Sequence, residues 1–363
     1  MSLFRLSSRR SFSFVLIAIV SVLGLNTPST AQETINLTAI DGYPTKALWV
    51  KEFINFYIPT VNNELAKTGK YKINWNKAFG GQIVKPKHVL EGIQKGLGDI
   101  GVVTTVFHQD KVPLQAIAYV TPFVTTDPTL VAQTMDGLAA KFPAVKKAWR
   151  DYNQIYLTSM AVFDTYQVFS KKPIRKLSDF KGLKINGAGI NLRYLQGLGS
   201  AGVGGSLVTY YQNLNTGVVD GALIWPEAAM AFKLNEVAPY MLSANLGSAN
   251  SKTVTVNADT WKRLPEEVRL ALHSSAIAYR DHMGKLATTR GVASDTNFGK
   301  YGGTIAELPE GQRDAWAKGM PNIAKKWASD LEKKGIPGKE ILTSYMDTMR
   351  ASNQPIARQW DKE

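Results

Sequence analysis

Three observations predict an α/β fold in two domains. Strand-like and helix-like segments alternate over residues 35–105 and again over 183–225. The chain has 363 residues, more than one hydrophobic core normally serves. A helical pattern of roughly 30 residues runs late in the chain, and at about 1.5 Å per residue it is long enough to lie across both domains.

Composition fits an ordinary globular protein: 44% hydrophobic, 20% charged, with 30 Gly and 16 Pro. That excludes a collagen-like fibre, a coiled coil and a disordered chain. The absence of Cys excludes a disulfide framework, Cys-ligated metal centres and a thiol nucleophile. The formal charge is +14, from 43 Lys and Arg against 29 Asp and Glu. A nucleic-acid binder would cluster its basic residues among aromatics. Here the basic runs are only Arg9-Arg10, Lys171-Lys172 and Lys333-Lys334, so the charge reads as a basic protein surface with no nucleic-acid partner.

The N-terminus reads as a targeting segment. Arg5, Arg9 and Arg10 precede a mostly apolar run from Phe12 to Leu25, and Ser29-Thr30-Ala31 supplies small residues for cleavage. The run is shorter than the ~20 residues of a membrane span, so no stable membrane insertion is expected. Ser8-Arg9-Arg10-Ser11-Phe12 also resembles a twin-arginine signal, and both export routes stay open. Removal of residues 1–31 takes three Arg and no acid, leaving a charge of +11.

Along the remaining chain, Ile35–Ile40 alternates like a strand and is broken by Asp41-Gly42-Tyr43-Pro44. Ala47–Leu65 has helical spacing, with Trp49, Phe53, Phe56 and Tyr57 on one face and a kink expected at Pro59. Tyr71–Trp75 reads as a strand, Gly80-Gly81 as a turn, Lys87–Leu97 as a helix and Asp99–Thr105 as a buried strand. This order argues for a largely parallel sheet. Ile155–Ser170 is extended; Leu183–Asn186, a helix over Asn191–Leu198, a helix through Tyr210 and Leu214, and strand Val218–Trp225 repeat the alternation. Pro265-Glu266-Glu267 opens the long helix, with acids at the positive end of its dipole. The pattern continues to about Phe298, although Gly284 and Gly291 each cost about 1 kcal/mol relative to Ala.

Motifs for enzyme chemistry are missing. Gly197-Leu198-Gly199-Ser200-Ala201-Gly202 spells a dinucleotide fingerprint, but that motif needs a strand before it and a helix after it, and here the order is reversed. The glycines read as a helix cap and turn. The four histidines, His88, His108, His273 and His282, have no metal-ligand spacing. Asp164, Asp220 and Glu227 are isolated acids. No cofactor, metal or catalytic residue is expected. A two-domain α/β chain behind a signal segment points to a ligand cleft between domains.

Three segments carry a family resemblance. Lys172-Pro173-Ile174 with Leu177–Ile185 resembles the "KPI…DLKGLKI" stretch of the substrate-binding proteins of tripartite ATP-independent periplasmic (TRAP) transporters, the DctP-like family. Tyr211–Gly221 resembles that family's "YtALQtGvVDG", and Gly80-Gly81-Gln82 through Leu97-Gly98-Asp99-Ile100 resembles its early helix and strand. The resemblance implies a type II-like periplasmic binding protein fold: two α/β domains, a long helix spanning both and a ligand cleft between them. It also implies periplasmic location, domain closure on a small organic anion, and small and large membrane permease subunits as partners. The implied boundaries are a signal at 1–31, domain I at 32–162 plus 253–291, and domain II at 163–252 plus 292–363.

Departures from the family pattern shape the site expectations. The usual carboxylate-binding arginines fall here at Asn186 and about Tyr166, so the bidentate pairing they supply is lost. Three explanations compete: Arg193 reaches the anion, Lys87 reaches it from the other domain, or the ligand is not held through a carboxylate. Asn186, Tyr166, Thr104 and Thr105 are expected hydrogen-bond donors. Where the family reads "DGxENP", this chain reads Asp220-Gly221-Ala222-Leu223-Ile224-Trp225-Pro226-Glu227. Trp225 beside Tyr166, with Tyr43 and Trp49 on an opposing early segment, would make the cleft unusually aromatic; Tyr211 and Glu227 are further site candidates. Core packing is the competing reading for each aromatic. An aromatic or hydroxylated monocarboxylate is the expected ligand class. An exported lyase or isomerase, revealed by turnover, and a sensory receptor, revealed by the lack of neighbouring permease genes, are the alternatives.

Overall fold

The computed structural model describes residues 32–363, so the expected signal segment lies outside the described residues. Two sheets form the cores of two lobes. The first contains β1 (Glu33–Ile40), β2 (Tyr71–Ala78), β3 (Ile100–Thr104), β4 (Gln154–Met160) and β10 (Lys252–Asn257), in the order β2-β1-β3-β10-β4. The second contains β5 (Gln167–Ser170), β6 (Lys184–Gly187), β7 (Ala201–Gly204), β8 (Gly221–Ile224), β9 (Tyr240–Ser243) and β11 (Thr304–Glu307), in the order β11-β9-β5-β8-β6-β7.

Both sheets are mixed, which corrects the largely parallel expectation. β10 runs antiparallel to β3 and β4, and β5 runs antiparallel to β8 and β9. The reason is the chain path. The extended stretch over 155–170 is two strands, β4 in the first sheet and β5 in the second, while β9 and β10 return the chain to the first sheet. The two crossings lie side by side: Tyr166 N–H donates to Gly247 O at 3.2 Å, Leu246 N–H to Tyr166 O at 3.1 Å, and Ser248 Oγ to Phe163 O at 2.7 Å.

The long helix spans Glu266–Lys300, 35 residues, or about 52 Å. It packs on β4 and helix Pro128–Lys141 of the first lobe and on helix Pro226–Ala231 of the second. Its two interior glycines sit where neighbours press closest. A Cβ at Gly284 would lie 2.4 Å from Thr129 Oγ1, and one at Gly291 would lie 2.2 Å from Asp164 Oδ2. Close packing at both positions offsets the propensity cost of glycine.

The irregularity expected at Pro59 is a π-helical turn, Phe53–Tyr57, in which the Ile58 N–H reaches Phe53 O. Pro59 has no N–H for the preceding turn, and the wider turn accommodates that loss. The expected helix at 191–198 is a 3-10 segment, Gly189–Leu195, followed by the glycine turn and β7.

The C-terminal segment divides between the lobes. Trp316, in helix Gln312–Gly319, donates its indole N–H to Tyr194 O at 2.7 Å in the second lobe. Beyond it, Trp327 Nε1 donates to Pro113 O at 2.9 Å and Trp360 Nε1 to Pro122 O at 2.8 Å, while helix Gly338–Ala351 packs on helix 128–141. Residues 323–363 therefore lie against the first lobe rather than the second, where they were expected.

Candidate functional site

The strand ends of both sheets meet at the crossings and enclose a narrow cavity of about 20 Å³. From the first lobe come Tyr43 after β1, Trp49, Thr104 at the end of β3, and Ser251 and Lys252 at the start of β10. From the second come Asn191, Tyr210 and Trp225; Tyr166 is contributed by a crossing segment. Strand ends suit this task because their side chains face a shared edge while the sheets hold the backbone rigid.

Aromatic rings form much of the wall. Phe163 and Trp225 stack with centroids 4.7 Å apart, Tyr166 meets Trp225 edge-on at 5.9 Å, and Trp49 approaches Trp225 across the cleft at 6.3 Å. Tyr43 packs edge-on against Trp49 at 4.9 Å. These offset and edge geometries are the favoured ones for aromatic pairs.

One cation is built into this wall. Lys252 is 2% exposed, its Nζ lies 4.1 Å from the centre of the Trp49 ring, and it forms no ion pair or hydrogen bond among the described residues. Asp41 lies on the other side of Trp49. It accepts the Trp49 indole N–H at 2.9 Å and the Tyr43 backbone N–H at 2.8 Å. Burial pulls the Lys252 ammonium below the ordinary lysine range and pushes the Asp41 carboxyl up, each opposed by the other's charge. Two residues before Lys252, Asn250 Nδ2 donates to Gln115 O and to Gln115 Oε1, both at 2.9 Å.

Four further polar groups border the cavity: Thr104 Oγ1, which has no hydrogen-bond partner among the described residues, and Tyr119 OH, Asn191 Nδ2 and Ser251 Oγ, which cluster with the Tyr166 hydroxyl. All four residues are at most 3% exposed. A buried polar group left unpaired costs about 1–3 kcal/mol, so the Thr104 hydroxyl and the Lys252 ammonium, neither with a hydrogen-bond partner among the described residues, suit a place that holds an anion. The Tyr166 hydroxyl also borders it, and burial pushes its pKa up to about 12, keeping it a donor at neutral pH.

Of the residues expected from sequence, Tyr43, Thr104, Tyr166 and Trp225 line the cavity. Six do not. Arg193 is half-buried on the 189–195 segment, away from the cavity. Lys87 is exposed at the outer mouth, its ammonium 5.5 Å from the Phe107 ring. Asn186 is fully buried and uses both ends of its amide inside the second lobe, donating to Val203 O and accepting from Asn213 Nδ2, each at 3.0 Å. Thr105 Oγ1 donates to Asn250 O at 3.0 Å. Tyr211 OH donates to Glu236 at 3.1 Å. Glu227 stands behind the wall, accepting the Trp225 indole N–H at 3.2 Å, and burial pushes its pKa up to about 7.

Lys252, Asn191, Tyr119 and Ser251 were not among the expected ligand contacts, while Trp49, expected in the aromatic wall, lines the cavity. Lys252 did leave a signal: at a period of two it shares a strand face with Val254 and Val256, both fully buried.

Two α/β lobes joined by paired crossings, shut over a cavity with one cation and several polar groups, define a two-lobed solute-binding protein. Residues 60–331 match the family described as bacterial extracellular solute-binding protein, family 7, and the chain belongs to it. A monocarboxylate 2-oxoacid-binding periplasmic protein of Nostoc sp. is 25% identical over 277 residues, which is 72% of this chain and 74% of that protein. The C4-dicarboxylate-binding periplasmic protein of Rhodobacter capsulatus is 26% identical over 193 residues, 52% of this chain and 58% of that one. In fold, the chain matches a TRAP solute binding protein from Rhodoferax ferrireducens in complex with copurified benzoate, with TM-score 0.78, 17% identity, and coverage of 88% of this chain and 98% of that one. No described helix is long and apolar enough to cross a membrane.

Proposed function

We propose that this protein captures a small organic carboxylate outside the cytoplasm, shuts its lobes over it, and presents the closed form to membrane permease subunits. The carboxylate pairs with Lys252 and takes hydrogen bonds from Thr104, Ser251, Asn191 and Tyr119. The body of the ligand lies against Tyr43, Tyr166 and Trp225. The carrying observation is the buried Lys252 ammonium, with no ion pair among the described residues, beside the unpartnered Thr104 hydroxyl and the hydroxyl and amide groups that both lobes bring to the cavity. It replaces the family's usual arginines with a cation from a different strand. An aromatic or 2-oxo monocarboxylate suits the ring-lined wall, and the names of the Nostoc and Rhodoferax relatives support that class. The moving units are 32–162 with 251–291 and 163–250 with 292–319; the C-terminal helices ride on the first unit.

The test is native mass spectrometry of the purified protein, then thermal-shift screening with benzoate, hydroxybenzoates, mandelate and pyruvate, repeated on Lys252→Met and Lys252→Arg. A bound acid recovered unchanged, lost in the Met variant and kept in the Arg variant, supports the reading. Chemical turnover of the acid, or full binding by Lys252→Met, defeats it.

A further inference from the structure

We infer that Asp41, acting through Trp49 on Lys252, restricts this site to singly charged acids. The inference rests on the carboxylate reading above and adds the charge class of the ligand.

The geometry supplies the argument. Asp41 is 1% exposed, and both its oxygens are engaged, by the Tyr43 N–H and by the Trp49 indole N–H. The face of that indole carries Lys252 Nζ at 4.1 Å. Trp49 is thus a spacer whose N–H edge answers the anion and whose π face answers the cation. The ammonium keeps its donors for a ligand while the Asp41 carboxyl is held on the far edge of the same indole. Among the described residues, no other Lys, Arg or His borders the cavity. Lys87 belongs to the outer groove, and Arg193 lies away from the cavity.

The charge count follows. Asp41 and Lys252 sum to zero whether the pair is ionised or neutral. One ligand carboxylate shares the only ammonium with Asp41 and fills the neutral donors Thr104, Ser251, Asn191 and Tyr119. A second carboxylate would be buried among Trp225, Tyr43 and Tyr166 with no cation, the arrangement that most strongly disfavours a buried charge. The relatives named above span both charge classes, so the class is decided by this chain's own residues. Asp41 is a positioning and charge-setting residue; it does not touch the ligand.

Calorimetry on the wild-type mature protein at pH 7.5 tests this with matched probes: succinate against succinamate, and terephthalate against 4-carbamoylbenzoate. Each monoamide keeps the size of its diacid and removes one charge. The expected result is about 100-fold tighter binding of the monoamide, with the gap at least about tenfold smaller in Asp41→Asn. Equal binding of diacid and monoamide, within threefold, overturns the inference and leaves the carboxylate reading standing. Failure of all four probes while benzoate or pyruvate binds also overturns it, because size rather than charge would then exclude them. Failure of benzoate and pyruvate as well defeats the carboxylate reading itself. The wild-type ratios carry the test even if Asp41→Asn folds poorly.

Discussion

Substituting Gly189 separates strain in one lobe from contact between the two. Gly189 stands at the start of the 189–195 segment with φ +53°, and a Cβ there would lie 2.1 Å from Val106 O on the opposite lobe. Ordinary contact is about 3.4–4 Å, so Gly189→Ala forces the lobes apart by more than 1 Å at this point, an overlap that costs about 1–3 kcal/mol. That cost arises only when the lobes shut. The left-handed backbone costs a further ~1 kcal/mol in any conformation. Gly182 is the control, because it has φ +79° and nothing within 4 Å of its Cβ. Both alanine variants should lower the Tm of the unliganded protein by about 2–4 °C. Only Gly189→Ala should weaken the ligand, by about 5- to 150-fold in calorimetric Kd, mostly through faster dissociation. A Kd within twofold of wild type for Gly189→Ala, at the expected Tm, would refute the reasoning: the liganded form would not make this contact.

Three other outcomes are expected. Arg193→Ala should bind the ligand within about twofold of wild type, checked by calorimetry, since Arg193 does not border the cavity; a larger loss restores it as an anion contact. In the long helix, Gly284→Ala should lower Tm by about 2–4 °C because overlap with Thr129 outweighs the ~1 kcal/mol propensity gain, whereas Gly299→Ala, with open space around its Cβ, should raise it. Asp164 is pushed up to about 6, first by burial and further by Asp295. Its unfolded carboxyl titrates near 4, so the unfolded chain loses this proton first, and stability falls as pH rises from about 4 to 6. Asp164→Asn removes that loss, so its Tm should match wild type at pH 4 and exceed it at pH 8, by on the order of 3 kcal/mol in stability; an equal difference at both pH values would contradict the assignment.

Much of the fold was legible because local pattern and tertiary placement agree. β1 and β3 carry apolar and β-branched residues where the sheet buries them, and the long helix declares itself by its acidic first turn and nearly unbroken periodicity. What was not legible depends on contacts distant in sequence. The extended run 155–170 does not reveal that its halves join different sheets; only the pairing of β4 with β10 and of β5 with β8 decides that. The C-terminal helices are amphipathic in either placement, and the anchors Trp327 and Trp360 find their carbonyl acceptors more than 200 positions away. At the site, aromatic residues beside strand ends were readable as walls, hence Tyr43, Tyr166 and Trp225. The anion partner was not. Arg193 and Lys87 lie near the family positions, whereas the cation that is present arrives on β10, where its period-two partners Val254 and Val256 mark a buried face but say nothing of what that face meets.

Trp49 and Trp225 belong to opposite lobes, with ring centres 6.3 Å apart and planes inclined by 49°. Two indoles this close and this skewed share their excited states, so the shut molecule carries a chiral optical signature that neither ring has alone. Parting the lobes uncouples the pair. The protein thereby reports its own state in circular dichroism, unlabelled and in any buffer, and the same signal follows capture and release of its cargo in real time.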